Sequence, residues 1–391
     1  MAFEKNIRYL YVAMFFRKLI FAYVIERLFA LERGMTVQLV VYTEIIYAIT
    51  IIILGVISGI LADKYGRKPL IVLGAIFTCF EFGVLIFAQG FWLFGLSAFV
   101  AGIGGSFKSG TWNALLYDSL LSCGKEGAFE KYLGRMQAIG FASALIAGLS
   151  GAFLAHWLGF TFNYWVSTGS GVISLLVTLR LSEPPKQVSE NSPSPASIVE
   201  IVSSAYAFFK KHPNVLQMLI HVALIASIVN YVDEFWQVYL DDIYFPIMLF
   251  GVVSAVLTVT QMPGALLGAK SLKRFSHRPL IVAGSFLAAG GILWAAFVQH
   301  AVGIIGIAVV GFAVAFIEPI ASGYLHHRAA PSSRATIESV EIMIARVFTI
   351  GIGLVFGYVS TRFSIFTGFW MLGVAAVLAS LVFGVFRVRD S

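Results

Sequence analysis

The sequence has 391 residues, 59% of them hydrophobic and only 12% charged, with a net charge of +7. A water-soluble chain of this length needs far more polar surface, so lipid must be its main solvent. The positive balance then serves membrane orientation, and a nucleic-acid partner is not expected. Met1–Arg8 is short and basic and runs straight into a full-length apolar segment, unlike a cleaved signal. Cys79 falls in an apolar run and Cys123 in a basic loop, which argues against a structural disulfide.

In chain order, about twelve apolar stretches have the roughly 20-residue length that a bilayer core demands. They lie near 9–31, 38–62, 69–89, 92–116, 134–156, 162–181, 215–239, 247–269, 279–298, 302–325, 338–360 and 364–386. The segment 183–213 opens with Pro and Ser in linker proportions, and Ala196–Lys211 within it carries a helical apolar pattern suited to a membrane surface. Lys and Arg crowd the loops on one side, including Lys64, Arg67, Lys68, Lys210, Lys273 and Arg334. The other side holds little more than Arg27, Arg33 and Arg362. The positive-inside rule therefore expects both termini and the linker in the cytoplasm. Pro69–Gly74 recurs as Pro279–Gly284, each after a basic turn, so two related six-span halves are expected at 1–182 and 214–391. The repeat aligns Asp63 with Lys273, Lys108 with Glu318 and Asp118 with Arg328.

The sharpest local pattern is Gly55–Gly74. An apolar run stops at Ala62, Asp63, Lys64, Arg67 and Lys68 follow, and Pro69 opens the next run. With Gly59 as its first small position, and with Asp63, Gly66, Arg67 and Lys68 matching, this stretch resembles the loop 2–3 signature of the major facilitator superfamily. The resemblance implies an all-α membrane protein of about twelve helices in two six-helix pseudo-repeats, with a substrate site between halves near the midplane. It implies that Asp63 caps or contacts a neighbouring helix end. It also implies that Arg67 pairs with an acid at the end of span four, where Asp118 stands, with Arg135 opening span five nearby. Such a latch would close one side of the protein in one state and break in the other. The alternative is that these charges only set topology and solvate helix ends. At the equivalent turn of the second half, Lys273 and Ser276 replace the Asp and Gly, so a latch there must differ.

Charges within spans form a second set. Arg17 lies about a dozen Å into span one and Glu81 about 16 Å into span three, at 1.5 Å per helical residue. Lys108 lies in span four, and Glu318 beside Pro319 in span ten. Charges in lipid are costly unless paired or hydrated, so they face a cavity or one another. A carboxyl shielded from water holds its proton more firmly and can exchange it near neutral pH. Glu81, Glu318 and Asp233 are therefore proton-coupling candidates, against a structural ion pair of Glu81 with Arg17 or Lys108. Arg17, Lys108, Trp112, Asn113, Glu234, Trp236 and Gln261 are substrate-cavity candidates. The acids and aromatics of span seven suit cationic or amphipathic ligands, or form an interfacial belt.

No metal-ligand spacing, nucleophile motif, phosphate loop or dinucleotide fingerprint is present, so neither enzyme chemistry nor a cofactor is expected. By resemblance, the chain is a multi-pass bacterial inner-membrane transporter, a proton-coupled exporter of drugs or small metabolites that works as a monomer. Alternatives are an exporter dedicated to one metabolite, such as a metallophore or lipid-like compound, and a uniporter or importer without proton coupling.

Overall fold

The computed structural model describes residues 2–185, 208–210, 212–328 and 334–385. Its described residues form helices joined by short turns. Ten helices are long and apolar enough to cross a membrane. The two remaining expected spans are the first, which is broken, and Phe160–Leu179, which is enriched in Ser, Thr and Asn. Ala196–Lys211 lies almost wholly outside the described residues, so the surface-helix expectation falls there.

The chain divides into two compact units, Met1–Ser189 with Pro246–Ala255, and Glu190–Phe245 with Val256–Ser391. In the first unit the helices are α1 (Ala2–Lys18), α2 (Glu26–Glu32), α3 (Val37–Tyr65), α4 (Arg67–Ile86), α5 (Gly90–Lys108), α6 (Thr111–Leu121), α7 (Phe129–Leu158) and α8 (Phe160–Leu179). Thr36 starts α3 by accepting a hydrogen bond from the Leu39 amide at 3.3 Å, the standard use of a hydroxyl at a helix start. Gly66 ends α3 and starts α4 at φ 97° and ψ 170°, a backbone region that is open essentially only to glycine. Two spans can therefore follow each other with a single residue between them.

The second unit contains α9 (Pro213–Asp242), most of α10 (Phe250–Ser271), α11 (His277–Val298), α12 (Ile304–Arg328), α13 (Arg334–Arg362) and α14 (Ile365–Val385). The start of α10 packs with the first unit, where a Cβ on Gly251 would meet the Gly148 carbonyl at 2.5 Å.

The sequence repeat has a packing counterpart. A Cβ on Gly74 would meet Lys108 Cγ at 2.7 Å and the Gly104 carbonyl at 3.1 Å, where α4 crosses α5. A Cβ on Gly284 would meet Ile317 Cγ1 at 2.7 Å, where α11 crosses α12. The last glycine of each repeated motif thus lets its helix lie against the same partner in its own unit.

Candidate functional site

The α3–α4 turn is held from two directions. Arg67 Nε reaches Asp118 Oδ2 on α6 at 2.5 Å, with both side chains about one-third exposed. Glu183, just beyond α8, accepts from the Arg67 and Lys68 backbone amides with one carboxylate oxygen each, both at 2.7 Å. A negative group on the first amides of a helix satisfies donors that have no helical acceptor and complements the helix dipole. Glu183 is itself placed by Asn6, which is fully buried on α1. The Asn6 amide donates to the Ser182 carbonyl at 2.7 Å and to Ser119 Oγ at 3.1 Å, and its oxygen accepts from the Ser182 amide at 2.8 Å. Arg135 is exposed and lies over the Tyr132 ring at 5.9 Å. A Cβ on Gly59 would meet nothing within 4 Å. Asp63 lies in the last turn of α3, and its side chain is outside the described residues.

Deeper in the first unit two helices break, each directly after a cation. α1 ends at Arg17 and Lys18, and the chain continues through a 3-10 turn at Phe21–Ile25 into α2. The break frees backbone groups that water cannot reach in a bilayer. Side chains of α7 and α8 take their place. Ser143 donates to the Phe15 carbonyl at 2.5 Å, Ser170 to Phe16 at 2.7 Å, Ser174 to Ala13 at 3.0 Å and Asn163 to Phe21 at 3.0 Å. Ser167 Oγ accepts from the Ala22 amide at 3.1 Å. The second break follows Lys108, where Gly110 at φ 70° separates α5 from α6.

These breaks bring Arg17, Lys108 and Trp112 to one cavity of about 20 Å³. The Arg17 guanidinium lies over the Trp112 ring at 4.9 Å, and Lys108 Nζ donates to Thr78 Oγ1 at 2.6 Å. Glu81, three-quarters of the way along α4, interacts electrostatically with Lys108 and with Glu26. Among the described residues no direct ion pair joins it to Arg17 or Lys108. At the far end of the unit Arg27 pairs with Glu44 at 2.7 Å and with Glu26 at 3.5 Å.

The remaining candidates do not join this cluster. Asn113 is exposed on α6. In the second unit Asp233, Gln261 and Glu318 are exposed, Glu234 is half-buried and Trp236 is buried. Elsewhere in that unit His221 Nε2 and Ser285 Oγ are 2.9 Å apart, and the His221 ring stacks on Phe383 at 4.2 Å. Arg278 lies over the Phe383 ring at 4.5 Å and donates to the Phe383 carbonyl and, at 3.3 Å, to Gln217.

Residues 10–340 match the family model for the major facilitator superfamily. The chain belongs to that superfamily. It is a multi-pass membrane transporter and not an enzyme, and its fold has solved counterparts. A mutant of the nucleoside transporter NupG superposes with a TM-score of 0.82 over 97% of this chain and 99% of that one, at 15% identity. A D-xylose-proton symporter superposes with a TM-score of 0.69 over 98% of this chain and 97% of its own, also at 15% identity. Among curated relatives, multidrug resistance protein MdtH of Aeromonas salmonicida (strain A449) is 29% identical over 152 residues, 38% of this chain and 36% of that protein. MdtH of Enterobacter sp. (strain 638) is 31% identical over 122 residues, 31% of this chain and 29% of that protein. The matched region thus spans about a third of these relatives.

Asn6 and Glu183 were not legible as site residues. Glu183 sits in a Pro-flanked stretch that reads as linker, and its contact with Arg67 joins residues more than a hundred positions apart.

Proposed function

We propose that this transporter is a proton-coupled exporter of drugs or small metabolites in a bacterial inner membrane, with both termini cytoplasmic. Its two halves alternate access to a central site. Glu81 carries the proton, and the observation that carries this reading is its position. It is a carboxylate inside a membrane-spanning helix, in the field of Lys108, with no direct ion pair among the described residues to fix it as a charge. Such a group can alternate between a protonated and a charged form as its surroundings change. The multidrug resistance role printed for the MdtH relatives supports efflux as the direction. The Arg67–Asp118 pair and the Glu183 cap together form the latch on the cytoplasmic side, and they act on conformation without touching cargo.

Uptake of a broad compound panel into inverted membrane vesicles, with and without a protonophore, tests the reading. Wild-type uptake should be protonophore-sensitive, and Glu81→Gln should lose uphill accumulation while still exchanging substrate across the membrane. Uphill accumulation that survives in Glu81→Gln would move the proton site elsewhere. Accumulation indifferent to the protonophore would reject proton coupling.

A further inference from the structure

The cavity at the two helix breaks is lined by two cations, Arg17 and Lys108, and, among its polar side chains, by the hydroxyls of Thr78, Ser167 and Ser174, with no carboxylate in the lining. Arg17 and Lys108 both line it, and among the described residues neither pairs directly with a carboxylate. Lys108 spends one of its three N–H donors on Thr78. Arg17, with five donors, meets the flat face of Trp112, which offers no hydrogen-bond acceptor. Trp112 is 4% exposed, and its indole Nε1, which can only donate, has no protein acceptor. A buried donor left unpaired costs roughly 1–3 kcal/mol. Trp112 also stands in the first turn of α6, an 11-residue helix that starts at Gly110 with no side-chain cap. The amides of that turn add positive potential at the same place. Lys18, on α1 beside Arg17, adds a further positive field at Lys108, which Glu81 opposes.

We infer that this cavity receives the acidic group of the cargo, a carboxylate on a compact and otherwise apolar molecule. A carboxylate supplies what Arg17, Lys108 and the Trp112 N–H lack, two oxygens with lone pairs in several directions. The size fits: about 20 Å³ holds one water-sized group, which suits the head of a ligand rather than its whole body. Phe16, Ile20, Ile71 and Phe82 on the walls suit the apolar part next to it. A cationic head would meet two like charges and an unanswered donor, so the preference runs opposite to the one suggested by the acids of span seven. The inference rests on the transport reading only for the ligand's being cargo.

Calorimetric titration of the full chain in lipid nanodiscs with three matched probes, 1-naphthoate, 1-naphthamide and 1-naphthylmethylammonium, tests it. The naphthoate should bind at least about tenfold more tightly than the amide, and the ammonium more weakly than either. Arg17→Gln and Lys108→Gln should each weaken naphthoate about tenfold and leave the amide unchanged, and Trp112→Phe should weaken it by a smaller factor. Arg17→Lys and Lys108→Arg, which keep the charge, should retain most of the preference and so separate lost recognition from lost folding. Equal binding of the three probes, tighter binding of the ammonium, or no naphthoate binding at millimolar concentration would overturn the assignment. So would naphthoate binding indifferent to both glutamine variants. Proton-driven export of cations by a protein that ignores naphthoate would reject this site and keep the transport reading. Naphthoate binding without any transport would do the reverse.

Discussion

The first unit begins α4 against an acid, and the second begins α11 against an aromatic ring. At α4, Glu183 caps two backbone amides and Arg67 pairs with Asp118. At α11, the helix starts after Ser276 with no side-chain cap, and Arg278 reaches sideways to the ring and carbonyl of Phe383 on α14. The aligned positions are Gly66 with Ser276 and Lys68 with Arg278, so one repeat supports two different fastenings. The charged one can be dismantled by competing charges or by salt. The stacked one depends on planar contact and is less sensitive to either.

Two experiments test that contrast, and a third tests an exposed ion pair of the first unit. The largest effect is expected at the paired turn positions. Gly66→Ala forces a Cβ into a glycine-only backbone region and to within 2.7 Å of the Glu183 carboxylate. Strain of about 1–3 kcal/mol and a lost cap of about 1 kcal/mol should lower the melting temperature of the purified protein by several degrees. Ser276→Ala, at φ −74° with no cap to lose, should leave it within a degree. Equal shifts would mean that the two turns are fastened alike.

The second experiment is a pair of conservative substitutions. Glu183→Gln and Arg278→Lys should each cost about 1 kcal/mol, one by losing the charge on the helix start and the other by losing the planar fork. The Glu183→Gln deficit should shrink as sodium chloride is raised to half-molar, because salt weakens the wild-type cap. The Arg278→Lys deficit should persist. The same salt response in both would remove the distinction between labile and firm.

The smallest effect concerns Glu4 and Lys125, an exposed pair at 2.7 Å that ties α1 to the loop after α6. The hydrogen bond and charge of Lys125 hold Glu4 below its ordinary value of 4.5, and Glu4 in turn holds Lys125 above 10.5. The contribution of Glu4 is therefore complete above pH 4.5 and is lost as pH falls through its lower folded value. That of Lys125 is complete below pH 10.5 and is lost as pH rises through its higher folded value. Melting curves of wild type and Glu4→Gln should differ slightly between these limits and converge at the acid edge. A gap that widens below pH 4 would contradict the pairing.

Much of the Arg67–Asp118 contact could be read from residues alone, because Gly66, Arg67 and Asp118 lie in short patterns whose chemistry is local. Asn6 and Glu183 could not. Asn6 looks like one polar residue in an amino-terminal helix, and only the return of the chain after α8 gives it Ser182 to hold. Of the internal charges, Arg17 and Lys108 do meet at one cavity, together with Trp112. Glu318 and Asp233 show how a charge in an apolar run can end up exposed on a helix surface, a matter of rotation that hydropathy cannot fix.

Residues alone establish that this protein lives in a membrane and belongs to the major facilitator superfamily. Those properties follow from the length of apolar runs and one short signature, both of them local along the chain. The breaks of the first and fourth spans beside their cations depend instead on packing between distant segments. A break in lipid survives only where other side chains bond the freed backbone. Here those side chains are Ser143, Asn163, Ser167, Ser170 and Ser174, which are distant in sequence and unremarkable until α7 and α8 fold back against α1.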